Sequence, residues 1–154
     1  MGMFTSMNGT ASALTAQRLR MDVISSNMAN ADSTRARKIG PDTWEPYRRK
    51  TVALQPNETS FSSFLHTAIG SKGANTAGEG VRVSKIDEDR DTPFKLIYDP
   101  EHPDANEDGY LQIPNVDPLR EMVDLMSATR SYEANVTVFN ASKGMMMKAL
   151  EIGK

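Results

Sequence analysis

The chain has 154 residues, with 18 Lys+Arg, 20 Asp+Glu, ten Met and no Cys, and this length suits one ordinary domain or a small domain with helical arms. A net charge of −2 gives no general pull toward nucleic acid or anionic membrane, and the lack of Cys excludes disulfides, thiolate metal sites and cysteine nucleophiles. No apolar run approaches the roughly 18–20 residues that span a bilayer, and the first residues lack the basic-then-apolar layout of a cleaved secretory signal.

Met and Pro divide the chain: every Met lies within 1–28 or 122–147, and every Pro lies between Pro41 and Pro118. This predicts two Pro-free helical ends, 1–34 and 116–154, around a middle of 35–115. In the N-terminal segment Met3, Met7, Thr10, Leu14, Gln17, Met21, Ile24, Met28 and Ala31 recur at three- and four-residue steps, which places them on one face of a helix. Few of them are large and apolar, so this helix needs a partner along its seam.

The middle reads as short strands and loops. Tyr47–Leu54, Val81–Ile86, Phe94–Tyr98 and Tyr110–Ile113 are β-branched or aromatic stretches bounded by turn residues, and four such strands suit a small sheet or barrel-like module. Phe61, Phe64, Leu65, Ala68 and Ile69 have helical spacing, and the Gly-rich run 70–80 reads as a flexible link. Charge is segregated here. Residues 35–50 hold six basic and two acidic side chains, a local +4, and 87–108 hold nine acidic and two basic, a local −7. Such patches can pair within a molecule or between copies, with Arg48 and Arg49 set against Asp87 and Asp89 as the contact between copies to test by assembly.

The C-terminal helix has the stronger signals. Asp117 is a good N-cap, Pro118 sits at the first helical position, and the pattern runs to Ile152 before Gly153. At about 1.5 Å per residue it would be roughly 50 Å long. Two seams can be traced on it. One is Leu119, Met122, Met126, Thr129, Glu133, Val136, Asn140, Lys143, Met147 and Leu150; the other is Leu125, Ala128, Tyr132, Asn135, Phe139, Ser142, Met146 and Ala149. Two seams on one helix predict more than one neighbouring helix.

Signals for chemistry are weak. Asp104, Asn106, Asp108 and Gly109 match the start of a calcium-loop pattern, but the twelfth position is Asn115, not a bidentate Glu, and an Asp/Asn/Gly turn between two strands explains the same letters. His66 and His102 are too far apart for metal-ligand spacing. No catalytic, cofactor-binding or metal residue is assigned, and no enzyme, cofactor, nucleic-acid or membrane-inserted role is expected.

Two motifs carry a resemblance. Ser26-Asn27-Met28-Ala29-Asn30-Ala31-Asp32-Ser33-Thr34 resembles the N-terminal signature of bacterial flagellar axial proteins, and the run from Glu121 through Tyr132-Glu133-Ala134-Asn135 resembles their C-terminal signature. Thr34-Arg35-Ala36-Arg37 departs from the Gly-and-aromatic continuation of many rod and hook members. That departure, Ala13–Arg18, and the run from Tyr98-Asp99-Pro100 to Asp117-Pro118 resemble the proximal-rod branch of the flagellar basal-body rod family.

The resemblance implies an α+β subunit with long N- and C-terminal helices packed as an antiparallel coiled-coil-like pair and a small β-rich middle domain. It implies a structural role in the proximal rod, outside the cytoplasmic membrane. It also implies export by the flagellar type III apparatus, assembly with itself and other rod subunits, and transmission of torque. The assembly positions it nominates are Leu14, Met21, Ile24, Asn27, Met28, Asn30 and Thr34 at one end. At the other they are Met122, Met126, Arg130, Tyr132, Glu133, Asn135, Val136 and Phe139. The alternative is a soluble adaptor or export-chaperone-like module that uses an exposed helix pair without polymerising.

Overall fold

The computed structural model describes residues 3–40, 43–57, 69 and 80–153. The helical spacing noted over 61–69 and the Gly-rich run 70–80 lie, apart from Ile69 and Gly80, outside the described residues. Helix α1 spans Met3–Ala29 and helix α2 spans Pro118–Ile152. Between them lie β1 (Arg37–Lys38), β2 (Trp44–Glu45), β3 (Lys50–Pro56), β4 (Val81–Glu88), β5 (Lys95–Tyr98) and β6 (Tyr110–Ile113). This is the expected α+β arrangement.

The helix ends follow local chemistry. Asp117 Oδ1 accepts the Leu119 N–H at 3.1 Å, and the Asp117 carbonyl accepts the Glu121 N–H, so the cap and the first helical bond sit where Asp-Pro predicts them. At the other end of the chain, α1 stops where Asn30 Nδ2 turns back to the Ser26 carbonyl at 2.8 Å and Asn30 Oδ1 takes the Ser33 hydroxyl. The chain then leaves the helix direction. Neither the first nor the last turn of α1 carries a charge that complements the helix dipole, so α1 relies on packing.

Among the described residues the strands pair as three separate two-stranded ribbons, β1–β2, β3–β4 and β5–β6, instead of the single sheet or barrel that four strands suggested. The β1–β2 strands are two residues each, with Arg37 opposite Glu45 and Lys38 opposite Trp44; they are too short to show any period. In the β3–β4 ribbon the Ser84 hydroxyl bonds the Ala53 carbonyl, and backbone bonds join Asn57 to Gly80 and Arg49 to Asp89. At the start of β3 side-chain amides occupy the place of a further strand: Asn27 takes both backbone groups of Lys50, and Asn115 takes the Arg49 N–H. A strand edge satisfied in this way has no need of another strand.

The chain divides into two compact units, through both of which the helices run. One comprises Met1–Leu19, Ala53–Lys85 and Thr129–Lys154. Its buried described residues are small: Thr10, Ala16 and Ser142. In it Gly80, at φ +87°, brings β4 onto α1. A Cβ there would stand 2.2 Å from Ser12 Oγ and 3.1 Å from the Gly9 Cα, and Ser12 Oγ accepts the Val81 N–H at 3.0 Å. The other unit, Arg20–Val52 with Ile86–Ala128, has a larger core of Val23, Ile24, Tyr47, Leu111, Val116 and Ala128. There α1 and α2 run antiparallel: Asn27 meets Glu121, and two turns earlier on α1 and one turn later on α2, Arg20 meets Asp124.

A polar clamp and an exposed helix face

The Arg20–Val52/Ile86–Ala128 unit is organised around Asn27, which is 1% exposed. Its Oδ1 accepts the Lys50 N–H at 2.9 Å and the Tyr47 hydroxyl at 3.1 Å, and its Nδ2 donates to the Lys50 carbonyl at 2.8 Å and to Glu121 Oε2 at 3.0 Å. All four hydrogen-bonding capacities of the amide are used. Glu121 is fully buried and its other oxygen accepts Arg49 Nε at 2.5 Å. As an acid in the first turn of α2 it also faces the positive end of the helix dipole. Arg49 reaches Asp124 at 3.2 Å, and Asp124 lies 3.6 Å from Arg20.

Asn115 forms the second half of the clamp. Its Oδ1 accepts the Arg49 N–H at 2.8 Å, and its Nδ2 donates to the carbonyls of Asp89 and Thr92. The Asp89 carboxyl in turn caps its own turn. Bonds from the Thr92 backbone N–H, the Thr92 hydroxyl and the Asp91 N–H hold its pKa below the ordinary carboxylate value against some desolvation. Four chain segments, 27, 47–50, 89–92 and 115–124, are thus tied together by buried polar groups, each with a partner.

A smaller latch lies beside it. Asp104 accepts from the Thr34 hydroxyl at 2.9 Å and from Arg35 Nε at 2.7 Å, and Arg35 Nη2 also contacts it. The bond from Arg35, then that from Thr34, depress the Asp104 pKa, and Asp104 raises that of Arg35. Here, as at the Arg49–Asp89 backbone bond, the basic and acidic segments meet. Arg48 and Arg49, expected to pair with Asp87 and Asp89 between copies, each also make ion pairs within the chain, and the Arg49 charge acts on Asp89. Arg48 binds Glu45 and stacks 4.3 Å over Phe94, and Arg49 goes to Glu121 and Asp124. The calcium-like letters fall in the β5–β6 connection. There Asp104 is held by the latch, and the Gly109 N–H bonds the Asn106 carbonyl in a turn that needs the Gly109 φ of +79°. Among the described residues no group of three or more His, Asp and Glu is arranged to hold a metal.

The nominated positions fall into distinct surroundings. Ile24 and Asn27 are buried, Asn30 ends α1, and Thr34 is in the latch. Leu14, Met21, Met28, Tyr132, Asn135, Val136 and Phe139 are half-buried, and Asn135 bonds back to the Ser131 carbonyl of its own helix. Met122, Met126, Arg130 and Glu133 are exposed. The second seam of α2, from Leu125 through Ala128 and Tyr132 to Met146, is buried or half-buried, and Leu119, Met122 and Met126 of the first seam face solvent.

In the sequence Arg49, Asn115 and Tyr47 appeared only in other settings, as a basic patch, a failed calcium-loop position and a strand start, and Glu121 only as the first letter of a motif. One signal was available: Glu121 stands four residues before Leu125 and seven before Ala128, so a carboxylate falls on the inward seam and must find partners.

Comparison with known proteins bears on both halves of the clamp. A family model described as "Flagella basal body rod protein" matches residues 7–37, and one described as "Flagellar basal body rod FlgEFG protein C-terminal" matches residues 107–152. The flagellar basal-body rod protein FlgC of Bacillus subtilis (strain 168) is 64% identical over 151 residues, 98% of each chain. Those of Borreliella burgdorferi and Escherichia coli O6:H1 are 44% and 46% identical, covering 99% and 93% of this chain and 98% and 92% of their own. The chain belongs to the FlgC family of flagellar basal-body rod proteins.

In this FlgC-family chain the two matched regions, at opposite ends of the sequence, meet in the Asn27–Glu121 bond across 94 positions. The N-terminal match contributes Asn27, Asn30 and Thr34, and the C-terminal match contributes Asn115, Glu121 and the outward face of α2. Tyr47 and Arg49, which complete the clamp, lie in neither. Membership makes the chain a structural subunit of the basal-body rod, and it decides against the adaptor alternative.

Proposed function

We propose that the chain leaves the cell through the flagellar type III export apparatus, joins the proximal rod through its terminal helices, and there passes torque along the axis with other rod subunits and further copies of itself. In this reading 1–34 and 116–154 are assembly segments and 35–115 lies outside them. The nominated half-buried and exposed positions on the two helices make the contacts between subunits. The observation that carries the proposal is the face of α2 bearing Leu119, Met122, Val123 and Met126. It is open to solvent, although the opposite face of the same turns holds the buried Glu121 and Ala128. Such an apolar stripe is costly to leave in water and suits a helix that gains a neighbour on assembly.

The test is Met122→Asp with Met126→Asp in the full chain. The isolated subunit should melt as the wild type does, since exposed positions change stability by no more than about 0.5 kcal/mol. Cells carrying the variant alone should lose motility and build no rod beyond this subunit. Normal incorporation of the folded variant would overturn the proposal.

A further inference from the structure

The register of the β5–β6 hairpin gives it two unlike faces. Ile97 stands opposite the buried Leu111, whereas Leu96, Tyr98, Tyr110 and Gln112 share the other face, with Leu96 63% and Tyr98 66% exposed. This face is held in shape. The Tyr98 and Tyr110 rings meet edge-on at 5.4 Å and 66°, and Gly109 leaves them room, since a Cβ there would stand 2.9 Å from Tyr98 Cε2. Glu107 and Asp108 sit exposed at the hairpin tip. The second patch is the Leu119–Met122–Val123–Met126 stripe of α2, flanked by exposed Arg120. Both patches lie in the same unit. Only the 114–117 connection separates hairpin from helix; Pro114, Asn115 and Val116 are buried there, and the Asn115 amide is bonded at both its oxygen and its nitrogen. The spacing and angle between the patches are therefore fixed.

We infer that a second copy of this chain sets its hairpin face, Leu96, Tyr98 and Tyr110, on the α2 stripe of the first, with Glu107 and Asp108 turned toward Arg120. The inference rests on the rod reading above and names the partner of the stripe. Three arguments select this occupant. The patches are unlike, and a contact between unlike patches held at a fixed offset propagates into an array instead of closing as a dimer. Methionine thioethers take aromatic edges and faces well and adapt to them. Hairpin against hairpin would bring the acidic tips together, whereas hairpin against helix sets carboxylates near a guanidinium. Three side chains against four fall well short of the roughly 1,200 Å² of a stable interface, so the contact forms in the array and not between free subunits.

The lack of Cys in the chain makes a clean test. Full-length Tyr98→Cys and Met122→Cys chains are co-expressed in cells without the wild-type copy, and isolated basal bodies are treated with an oxidant. Leu96→Cys with Val123→Cys serves as a second pair if the first does not assemble. A disulfide-linked dimer is expected from the mixed cells and none from cells with either variant alone. A dimer from one variant alone would mean a two-fold contact, and a link to a different rod subunit would mean another occupant. Either result overturns the inference and leaves the rod reading standing, as would rods holding both variants with no linked dimer. Basal bodies that lack even the wild-type chain would instead overturn the rod reading.

Discussion

Asn27 shows how one amide can govern a packing arrangement. Replacing it by Ala leaves the Lys50 N–H and carbonyl and the Tyr47 hydroxyl without their partners and takes one donor from a fully buried carboxylate. With each orphaned group costing about 1–3 kcal/mol, Asn27→Ala should destabilise the isolated subunit by about 3 kcal/mol or more, read as a fall in the urea midpoint followed by Trp44 fluorescence. Arg49→Ala should cost a similar amount, because it strips Glu121 of its cation. The converse case is Gln17, whose buried Oε1 has no hydrogen-bond partner among the described residues. Gln17→Met keeps the shape and removes the orphan, and should raise stability by about 1 kcal/mol. The Asp104 latch gives a pH signature. Its carboxyl is depressed in the folded state by Arg35 and Thr34, so its contribution is present above the unfolded value and is lost as pH falls through the folded one. Arg35→Ala should therefore melt below wild type at pH 7, and the gap should close as pH drops well below about 4. A gap unchanged in acid would show that the latch contributes through packing alone.

Both helices were legible because their evidence is repeated many times along the chain: apolar positions at three- and four-residue steps, Asp-Pro at the start of α2, Gly153 after its end. The strands were less so. β1 and β2 have two residues each and carry no period, and β3, β4, β5 and β6 were found as segments, but their partition into ribbons depends on long-range amide contacts such as Asn27–Lys50 that no local pattern reports. Likewise, periodicity revealed two seams on α2 but could not say which faced inward; Leu119 and Leu125 look alike in the sequence and differ only in what lies across from them. Glycines test the elements directly. At Gly80 a methyl group would collide with Ser12 in a backbone conformation that L residues avoid, so Gly80→Ala should lower the melting temperature. Gly144→Ala meets nothing within 4 Å and should raise helix stability by up to about 1 kcal/mol, measured by circular dichroism.

Taken whole, the chain combines a tightly bonded polar clamp with apolar side chains left in water. Phe4, Leu119, Val123, Leu150 and Ile152 are all exposed, an arrangement suited to a part that is finished by its neighbours. Because each patch is small, the purified subunit should sediment as a monomer at micromolar concentration, and its association should appear only where several contacts act together. A stable dimer in dilute solution would contradict that division of labour.

Arg49 and Lys50 each give the backbone N–H to an Asn side chain and not to a strand. The clamp therefore reads the peptide link itself, and the side chain at 50 adds to it only a cation–π contact, with Nζ 5.5 Å from the Tyr47 ring. Position 50 should accept almost any residue without loss of the fold, with Pro, which has no N–H to offer, as the exception. In deuterium exchange the two amides at this strand boundary, where fraying is ordinarily fastest, should be among the slowest to label. Sequence variation could thus run freely across the very spot that holds the subunit together.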